Sequence, residues 1–529
     1  MREITKYHDT SKTVKERAKN KLFGAVYSHT AIILLLILLQ IGIMILTFTY
    51  LGNYSTYMNG VMSLLSFITA IYIFNEKGNP AFKMTWILFV FLVPVVGVGF
   101  YLFTKAGIGT KYLGARLEKL RVETEPYMQQ NEYVVHAMKG GRVANANLSH
   151  FLYNQVGFPT YGNSQAQYFP LGDDKFPVLI EELNKAEKFI FMEYFIIGEG
   201  YVWDTVLEVL RKKVKEGVEV RLMYDGTCSI SLLPYEYPKQ LREYGIQCKE
   251  FGPIVPILST SQNNRDHRKI FVVDGAVGFT GGINLADEYI NEVKRFGYWK
   301  DTGVRIEGEA VWSLTSMFLS MWNYIVHSTE DYSRFMPAQH QKAPFENDGF
   351  VQPYGDSPLD HENVGENIYL NIINRAKNYV YIFTPYLIID HEMLTALCNA
   401  AKDGVDVRIV TPGIPDKKMI FLLTQSYYAP LIQSGVKIYQ YTPGFIHAKC
   451  FVCDDEIATV GSVNLDFRSL YLHFECGVFF YRSAVVAQVK EDCLNTFACS
   501  EQMTAEFCRN RPVPVRLLQS VLRLLAPLL

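Results

Sequence analysis

Two strings in this sequence place histidine, lysine, aspartate and asparagine at the same relative positions. Both follow the pattern H-x-K-x₄-D-x₆-G-[GS]-x-N and match it throughout. An imidazole can attack phosphorus or pass a proton near neutral pH, and an ammonium group can hold a phosphate oxygen. The repeated string therefore predicts chemistry on a phosphate group. Its members are His267, Lys269, Asp274, Gly282 and Asn284 in the first string, and His447, Lys449, Asp454, Ser462 and Asn464 in the second.

Each string begins at a predicted buried strand. Ile270–Val273 and Cys450–Cys453 are apolar, and side chains alternate faces along a strand, so each histidine faces the same side as the lysine two positions later. The glycine of the string lets backbone amides approach an anion, and the asparagine adds a neutral donor. If the two copies meet about a pseudo-twofold axis, His267 and His447 act on one phosphate. One histidine would then be the nucleophile and the other would protonate the leaving oxygen.

The strings end two similar halves of the chain. Each half has a β-branched and aromatic strand, Phe189–Ile197 or Tyr379–Ile389, between two predicted helices. A second strand follows with a shared phrase, GVEVRLMYDG at 217–226 and GVDVRIVTPG at 404–413. Alternating strands and helices predict an α/β fold with a mainly parallel sheet, and the long period indicates a duplicated domain. The polar stretch at 333–358 is the predicted seam.

The chain has 529 residues with a formal net charge of −2, which argues against a nucleic-acid binder. Residues 22–75 contain no Lys, Arg, Asp or Glu. Because a membrane span needs roughly 20 apolar residues, the segments near 31–51 and 84–104 predict two crossings. The shorter segment near 57–74 is either a third crossing or a re-entrant stretch.

The basic residues on both flanks of these segments favour a cytoplasmic location for each flank and therefore an even number of crossings. A third crossing would instead place the C-terminal portion outside. At the other end of the chain, the predicted helix within 511–529 carries a polar stripe with leucine and valine around it. This helix either lies in the lipid headgroup region or packs on its own domain. The stripe consists of Arg516, Gln519, Ser520 and Arg523.

The two strings resemble the duplicated signature of the phospholipase D superfamily, and the chain is further similar to the bacterial cardiolipin synthases. The phrases that carry the narrower resemblance are NNRDHRKIFVVDG, TGGINLADEY, YWKDTG, FIHAKCFVCDD and GSVNLDFRSLYLHFE. The resemblance implies an α/β fold of two tandem phospholipase D-like domains forming a pseudo-twofold catalytic body, preceded by an N-terminal transmembrane helical region. The expected boundaries are 1–130 for the membrane anchor, 131–335 and 336–510 for the two domains, and 511–529 for the C-terminal amphipathic helix.

The activity that the resemblance implies is phosphatidyl transfer between two phosphatidylglycerol molecules, giving cardiolipin and glycerol through a phosphohistidine. It implies no metal and no cofactor, membrane lipids as partners, no nucleic acid, and a multi-pass cell-membrane location. Water or another alcohol remains open as the acceptor, which would make the protein a hydrolase or a different transferase. A catalytically silent membrane scaffold and a nuclease are the rival classes; the intact strings and the near-neutral charge disfavour them.

The resemblance also assigns roles. His267 would be the nucleophile, and His447 the acid and later the base. Phosphate oxygens would be bound by Lys269, Lys449, Asn284 and Asn464, with Gly282 and Ser462 beside them. Asp301 and Glu475 would orient the histidines, and Asp274 and Asp454 are interpreted as structural or charge-balancing members of the catalytic strings.

Three further features bear on the site. His473 stands where relatives usually carry asparagine. Glu193 and Tyr386 lie at comparable strand ends, either lining the pocket or as ordinary strand-end residues. Cys450 and Cys453 form a C-x-x-C, but without a second pair nearby they are interpreted as small buried hydrophobes.

Overall fold

The structure is a computed structural model that describes residues 42, 55–139, 143–228, 232–234, 236–253, 260–337, 348–360 and 362–528. The apolar segment near 31–51 therefore lies outside the described residues, apart from Gly42. The N-terminal part consists of helices that precede both sheets. They are α1 (Ser55–Asn75), α2 (Pro80–Leu92), α3 (Pro94–Ala106), α4 (Ile108–Thr124), α5 (Glu132–Lys139) and α6 (Val143–Asn154).

The segment near 84–104, predicted as a membrane crossing, forms two helices that meet at Val93. The helix α2 ends at Leu92 and α3 begins at Pro94, because proline has no backbone N–H with which to continue the helical ladder. The chain folds back closely at this point. A Cβ added to Gly97 would lie 2.7 Å from the Cα of Val90, so only glycine allows this approach.

Within the described part of the chain, we find no helix that combines the length and the apolar character needed to cross a membrane.

The first repeat alternates strands and helices as predicted. Two of its strands were predicted from the sequence. Phe189–Tyr194 is shorter than the predicted strand Phe189–Ile197, and Glu219–Asp225 fills most of the predicted phrase at 217–226. The elements are β1 (Ser164–Phe169), α7 (Gly172–Lys185), β2 (Phe189–Tyr194), α8 (Tyr201–Lys215), β3 (Glu219–Asp225), α9 (Tyr237–Glu243), β4 (Gln247–Phe251), β5 (Lys269–Val273), β6 (Val277–Gly281), β7 (Tyr298–Lys300), β8 (Gly303–Gly308) and α10 (Val311–Val326).

The second repeat follows the same plan and ends in short C-terminal helices. Its elements are β9 (Phe350–Asp356), α11 (Val364–Arg375), β10 (Tyr379–Phe383), β11 (Leu387–Ile388), α12 (His391–Lys402), β12 (Asp406–Pro412), α13 (Lys418–Ser426), α14 (Tyr428–Gln433), β13 (Lys437–Tyr441), β14 (Gly444–Ile446), β15 (Cys450–Cys453), β16 (Ile457–Gly461), β17 (Leu465–Asp466), α15 (Phe467–Tyr471), β18 (Glu475–Tyr481), α16 (Ala484–Ala498), β19 (Ser500–Gln502), α17 (Ala505–Arg509) and α18 (Val513–Leu525).

Each repeat contains one large mixed sheet. The strand order is β1-β8-β6-β5-β2-β3-β4 in the first and β19-β13-β12-β10-β15-β16-β18-β9 in the second. The pairs β2–β3 and β3–β4 are parallel, as are β10–β12 and β12–β13, but the remaining described pairs in these two sheets are antiparallel. The prediction of a mainly parallel sheet is therefore wrong.

The reason lies in the turn inside each string. Asp274 and Gly275 both have positive φ, 52° and 64°, and the N–H of Ala276 donates to the carbonyl of Val273. Two consecutive residues with positive φ form the tight hairpin turn for which Asp-Gly is typical. The chain therefore returns as the antiparallel strand β6 beside β5, and no helical crossover follows the motif strand.

The two repeats share a hydrophobic core. Phe191 and Ile270 from the first sheet, Tyr381 and Val452 from the second, and Phe318 from α10 belong to one buried cluster. The two sheets thus pack into a single catalytic body, as the duplicated α/β prediction requires. This packing brings the ends of the two motif strands to the same place.

Candidate active site

The motif histidines are held in place by backbone contacts to the opposite repeat. The N–H of His267 donates to the carbonyl of Phe474 at 2.9 Å, and the N–H of His447 donates to the carbonyl of Lys300 at 2.7 Å. The second contact continues the parallel pairing of β14 with β7. Each histidine backbone is therefore fixed by a segment of the other repeat.

The side chains of both histidines are also paired across the repeats. Nδ1 of His267 lies 2.9 Å from both carboxylate oxygens of Glu475. Nδ1 of His447 lies 2.6 Å from Oδ2 of Asp301. An Nδ1–H bonded to a carboxylate fixes the tautomer, so Nε2 of each ring is left as the basic nitrogen. This arrangement suits one imidazole for nucleophilic attack and the other for proton transfer.

The two histidines and the two motif lysines are close enough to influence one another. Burial lowers the pKa of His267 well below its ordinary value, and the positive charges of Lys269 and Lys449 lower it further. Burial likewise lowers the pKa of His447 to about 4, assisted by Lys449 and opposed by Asp301. In the site without substrate both imidazoles are therefore neutral at pH 7.

The motif lysines are fully buried and lie beside their own histidines. Lys269 Nζ donates to the carbonyl of His267, and Lys449 Nζ donates to the carbonyl of His447. Burial lowers the pKa of Lys269 to about 8 and that of Lys449 to about 7. A phosphate anion placed between them would favour their charged forms, so the site gains charge complementarity when substrate enters.

Gly282 and Ser462 lie against the carboxylates of Asp301 and Glu475 in this structure, and their contact with phosphate stays a prediction. A Cβ added to Gly282 would lie 2.1 Å from Oδ1 of Asp301, so only glycine lets this carboxylate take its place. At the corresponding position of the second repeat, Ser462 Oγ donates to Oε2 of Glu475 at 2.5 Å. The backbone amides of both residues are occupied, by the carbonyls of Thr302 and Cys476.

The motif asparagines are buried next to the histidine segments. Asn284 accepts a bond from the N–H of Ile196 and donates to the hydroxyl of Tyr289. Asn464 donates to Ser469, while its Oδ1 is buried without a hydrogen-bond partner. Their first role in this structure is to hold the loops that surround the two imidazoles, and contact with phosphate remains a prediction.

The motif aspartates occupy the far ends of the motif strands. Asp274 accepts three backbone N–H bonds of 2.8 Å, from Glu187, Lys188 and Phe189. Asp454 accepts the matching three bonds, from the N–H groups of residues 377–379. Each aspartate follows its histidine by seven positions, and seven residues of extended chain span about 23 Å. These contacts support the structural interpretation of both aspartates, which do not lie near the imidazoles.

Comparison with known proteins decides the family. A family model described as "Cardiolipin synthase, PLD-like domain" matches residues 179–322 and 369–495, one stretch in each repeat. The chain belongs to the cardiolipin synthase family of phospholipase D-like proteins. A second model, described as "Phospholipase_D-nuclease N-terminal", matches residues 64–105, which lie in the N-terminal helices.

Relatives of this family cover most of the chain. An uncharacterized protein of Streptococcus mutans is 46% identical over 87% of this chain and 99% of its own length. A cardiolipin synthase of Alkalihalophilus pseudofirmus is 34% identical over 90% of this chain and 96% of its own. Cardiolipin synthase 1 of Bacillus anthracis is 32% identical over 94% and 99%.

A solved structure shows the same fold. The phosphatidylserine synthase of Haemophilus influenzae superposes with a TM-score of 0.55 and covers 73% of this chain and 100% of its own, at 16% sequence identity. The tandem phospholipase D-like α/β architecture of the cardiolipin synthase family is thus present here.

Aromatic rings lie against both imidazoles of this member of the cardiolipin synthase family, and no sequence motif predicted them. The ring of Phe195 lies 4.8 Å from that of His267, centre to centre. The rings of Tyr289 and Trp299 lie 5.6 and 5.5 Å from that of His447. Position could have found two of them, since Tyr289 lies five residues after Asn284 and Trp299 two residues before Asp301. Phe195 lies in the predicted strand Phe189–Ile197, far in sequence from the motif residues.

Glu193 and Tyr386, the two strand-end residues considered for the pocket, have different surroundings. Glu193 is fully buried and its Oε1 lies 2.6 Å from Arg268 Nη2, so it belongs to a buried ion pair. Tyr386 packs against the aromatic cluster that includes Trp299 and Phe445, and its hydroxyl donates to Asp416. Only Tyr386 therefore approaches the His447 side of the site. Cys450 and Cys453 are buried in β15, as interpreted from the sequence.

A cavity of about 640 Å³ lies between the N-terminal helices and the segment that precedes His267. Phe82 and Trp86 of α2 form one wall, and Asn264 and Arg468 form another. Nε of Arg468 lies 3.5 Å from Nε2 of His473, whose ring centre is 5.6 Å from that of His267. Arg468 of the cavity lining therefore contacts His473, although neither His473 nor His267 lines the cavity itself.

Proposed function

We propose that this protein is a cardiolipin synthase that transfers the phosphatidyl group of one phosphatidylglycerol to a glycerol hydroxyl of a second. The observation that carries the proposal is the reciprocal pairing of His267 with Glu475 and of His447 with Asp301. Two imidazoles, each with a basic Nε2 and a carboxylate behind it, provide what a two-step transfer through a covalent intermediate requires.

In the first step, Nε2 of His267 attacks phosphorus and the bond from phosphorus to the glycerol oxygen breaks. His447 donates its proton to that oxygen, so glycerol leaves as the neutral alcohol. His447 must be protonated for this step although its pKa is lowered to about 4 in the empty site. The negative charge of the bound phosphodiester, together with Asp301, favours the protonated ring once substrate is present.

In the second step, neutral His447 accepts a proton from a hydroxyl of the second phosphatidylglycerol. The oxygen then attacks the phosphorus of the phosphohistidine, and the bond to Nε2 of His267 breaks. Cardiolipin leaves, and both histidines return to their starting states. Lys269 and Lys449 are proposed to hold the phosphate oxygens in both steps because they are buried beside the histidines they follow.

Contact with lipid is supported by apolar side chains on the surface of the N-terminal helices and α18. In α18, Leu517 is 64% exposed and Val521 is 55% exposed, whereas the polar residue Gln519 is buried and donates to the carbonyl of Leu422. The helix thus packs through part of its polar stripe and presents leucines outward. We propose that this face lies in the membrane interface.

The N-terminal helices continue this surface. Thr85 Oγ1 of α2 lies 3.3 Å from the carbonyl of Leu524 in α18, so the two parts are adjacent. Exposed apolar side chains on α1 to α3 include Leu64, Phe67, Phe74, Phe91, Leu92 and Leu102. We propose that these helices form a membrane-facing platform and that the cavity between α2 and Arg468 admits the lipid headgroup to the site.

The test uses purified protein in vesicles of phosphatidylglycerol labelled in the terminal glycerol and in one acyl chain. Cardiolipin and free glycerol should appear in equal amounts. Phosphatidic acid as the main product would instead identify a hydrolase and overturn the proposal. The His267→Ala and His447→Ala variants should both lack turnover. Wild-type protein quenched with sodium dodecyl sulfate at mildly alkaline pH, where the P–N bond survives, should carry a phosphatidyl group that His267→Ala lacks.

A further inference from the structure

A third histidine lies inside the site and is not used by the transfer reaction. The ring of His473 is 5.6 Å from that of His267, and its Nδ1 lies 3.7 Å from Oε1 of Glu475. This Nδ1 is buried and has no hydrogen-bond partner. A buried ring nitrogen without a partner is uncommon, because such a group loses its hydration without replacement. A bound ligand would supply the partner that this nitrogen lacks.

The same three residues form a potential metal-ligand set. One donor atom from each of His267, His473 and Glu475 lies within 4.8 Å of the other two. In a tetrahedral zinc site with bonds near 2.0–2.1 Å, neighbouring ligand atoms lie about 3.3 Å apart. The two distances to Glu475, 2.9 Å from His267 and 3.7 Å from His473, lie on either side of that value.

We propose that His267, His473 and Glu475 bind a transition-metal ion such as Zn²⁺ and that this ion inhibits the enzyme. Two imidazoles and one carboxylate favour zinc and related ions over Mg²⁺ and Ca²⁺, which prefer oxygen ligands. The fourth position is left for water. Ser462, which donates to Oε2 of Glu475, supports the carboxylate from behind.

The inhibition follows from the chemistry of the imidazole. Without metal, the proton of His267 is on Nδ1 and the lone pair on Nε2 is available for attack. When the ion binds Nδ1, that proton is displaced and Nε2 becomes the N–H of a neutral ring. No net proton is gained or lost, but the nucleophilic lone pair disappears. The hydrogen bond to Glu475 that orients the ring is lost at the same time.

Two neighbouring cations limit the affinity. Lys269 is buried beside His267, and Nε of Arg468 lies 3.5 Å from Nε2 of His473. The contact to Arg468 is at the long limit of a hydrogen bond and holds the His473 tautomer only weakly. We therefore expect reversible binding that is weaker than at a closed structural zinc site, so that a chelator restores activity.

The direct test measures metal binding by the full chain in detergent, without substrate. Titration with Co²⁺, a spectroscopic substitute for Zn²⁺, should give the visible absorption of a four-coordinate cobalt ion, and Zn²⁺ should displace it. The variants His473→Asn and His473→Gln should lose this absorption while keeping the wild-type circular dichroism. Cobalt absorption of equal strength in the wild type and in both variants would overturn the site.

The functional test compares Zn²⁺ inhibition, with each variant normalised to its own metal-free rate. In wild-type protein, we expect at least a tenfold loss of rate with Zn²⁺ and none with the same concentration of Mg²⁺. In His473→Asn the concentration for half-inhibition should rise at least tenfold, whereas the exposed-residue control His391→Asn should match wild type. Equal inhibition of wild type and His473→Asn would contradict the proposal.

The inhibition rests on the proposed function, but metal binding does not. If metal-free protein made no cardiolipin, the proposed transfer would fail while the cobalt spectrum could still confirm the site. If cardiolipin formed and the cobalt signal did not depend on His473, the metal site alone would be wrong.

Discussion

Nδ1 of His267 in the first repeat is hydrogen-bonded to both oxygens of Glu475 in the second, at 2.9 Å each. The two residues are 208 positions apart in the chain. The reciprocal pair, His447 with Asp301, spans 146 positions at 2.6 Å. Each reacting imidazole therefore depends on a carboxylate from the opposite half of the molecule.

Replacing Glu475 by glutamine should lower kcat by roughly 10³–10⁴-fold, because an amide can select the wrong imidazole tautomer. KM should change little, since Glu475 is not expected to contact the lipid. The rate of cardiolipin formation from labelled phosphatidylglycerol measures this, with the exposed carboxylate variant Glu506→Gln as control. Asp301→Asn should behave similarly, and the double variant should be far less impaired than the product of the two effects because the residues serve one reaction. A threefold loss or less in Glu475→Gln would contradict the orienting role.

Replacing Gly282 by alanine should displace Asp301, because the new Cβ would lie 2.1 Å from Oδ1. We expect kcat to fall at least roughly 100-fold, as His447 loses its partner, and Tm to fall because the site is overpacked. Ser462→Ala is the matched variant at the corresponding position. It keeps a Cβ and removes only the hydroxyl that bonds Glu475, so its loss should be nearer tenfold. If Gly282→Ala were as active as Ser462→Ala, Asp301 would not depend on this close approach.

Lys449 should make the stability of the protein depend on pH above neutrality. Burial lowers its pKa from 10.5 to about 7 in the folded protein. Between these values the unfolded chain binds more protons than the folded chain, so the free energy of unfolding rises with pH in that window. Between pH 7.5 and 9.5 the contribution is about 2 kcal/mol.

Thermal unfolding of Lys449→Met measures this contribution. The change in Tm between pH 7.5 and 9.5 should be less positive than in wild type by about 2 °C, given the unfolding entropy of a chain of this length. The exposed-residue variant Lys402→Met should retain the wild-type change. Identical changes in Lys449→Met and wild type would show that the lysine remains charged in the folded protein across this range.

Charged residues introduced on the outer face of α18 should lower the rate of the enzyme on lipid vesicles. Leu517 and Val521 lie one turn apart and are both more than half exposed. In the variant Leu517→Asp with Val521→Asp, the rate on phosphatidylglycerol vesicles should fall at least threefold. The rate on dispersed lipid in detergent micelles should stay near wild type, because the catalytic centre is unchanged. Ser520→Asp, on the polar stripe, is the control; equal loss on vesicles and micelles would indicate damage to the fold instead.

The sequence was sufficient for the catalytic strings, the duplication and the strands on which the strings lie. These features are local, because a buried apolar strand and the residues at its ends are read from a few neighbouring positions. The strand Glu219–Asp225 and its counterpart Asp406–Pro412 lie within the two phrases that predicted them. The orienting roles of Asp301 and Glu475 came from the resemblance alone, since no local pattern joins a carboxylate to a histidine so far away in the chain.

The remaining differences have equally physical causes. Apolar composition at 84–104 predicted a membrane crossing but not its division into two helices, because that division depends on Pro94, which ends the ladder, and on Gly97, which lets the two helices pack closely. Periodicity gave no sign that the strands after each string return antiparallel, because that depends on positive φ at Asp274 and Gly275. The neighbourhood of His473 was also hidden, since its approach to His267 exists only once the two repeats have packed.

The exchange of carboxylates between the halves has a consequence for assembly. A single repeat produced on its own would contain a histidine that lacks its partner and a carboxylate that lacks its own. Such a half could become active only by pairing with another half in the same reciprocal manner, as a dimer would. In the linked chain each first repeat has one second repeat to pair with. Packing of the two repeats therefore also completes both histidine–carboxylate pairs.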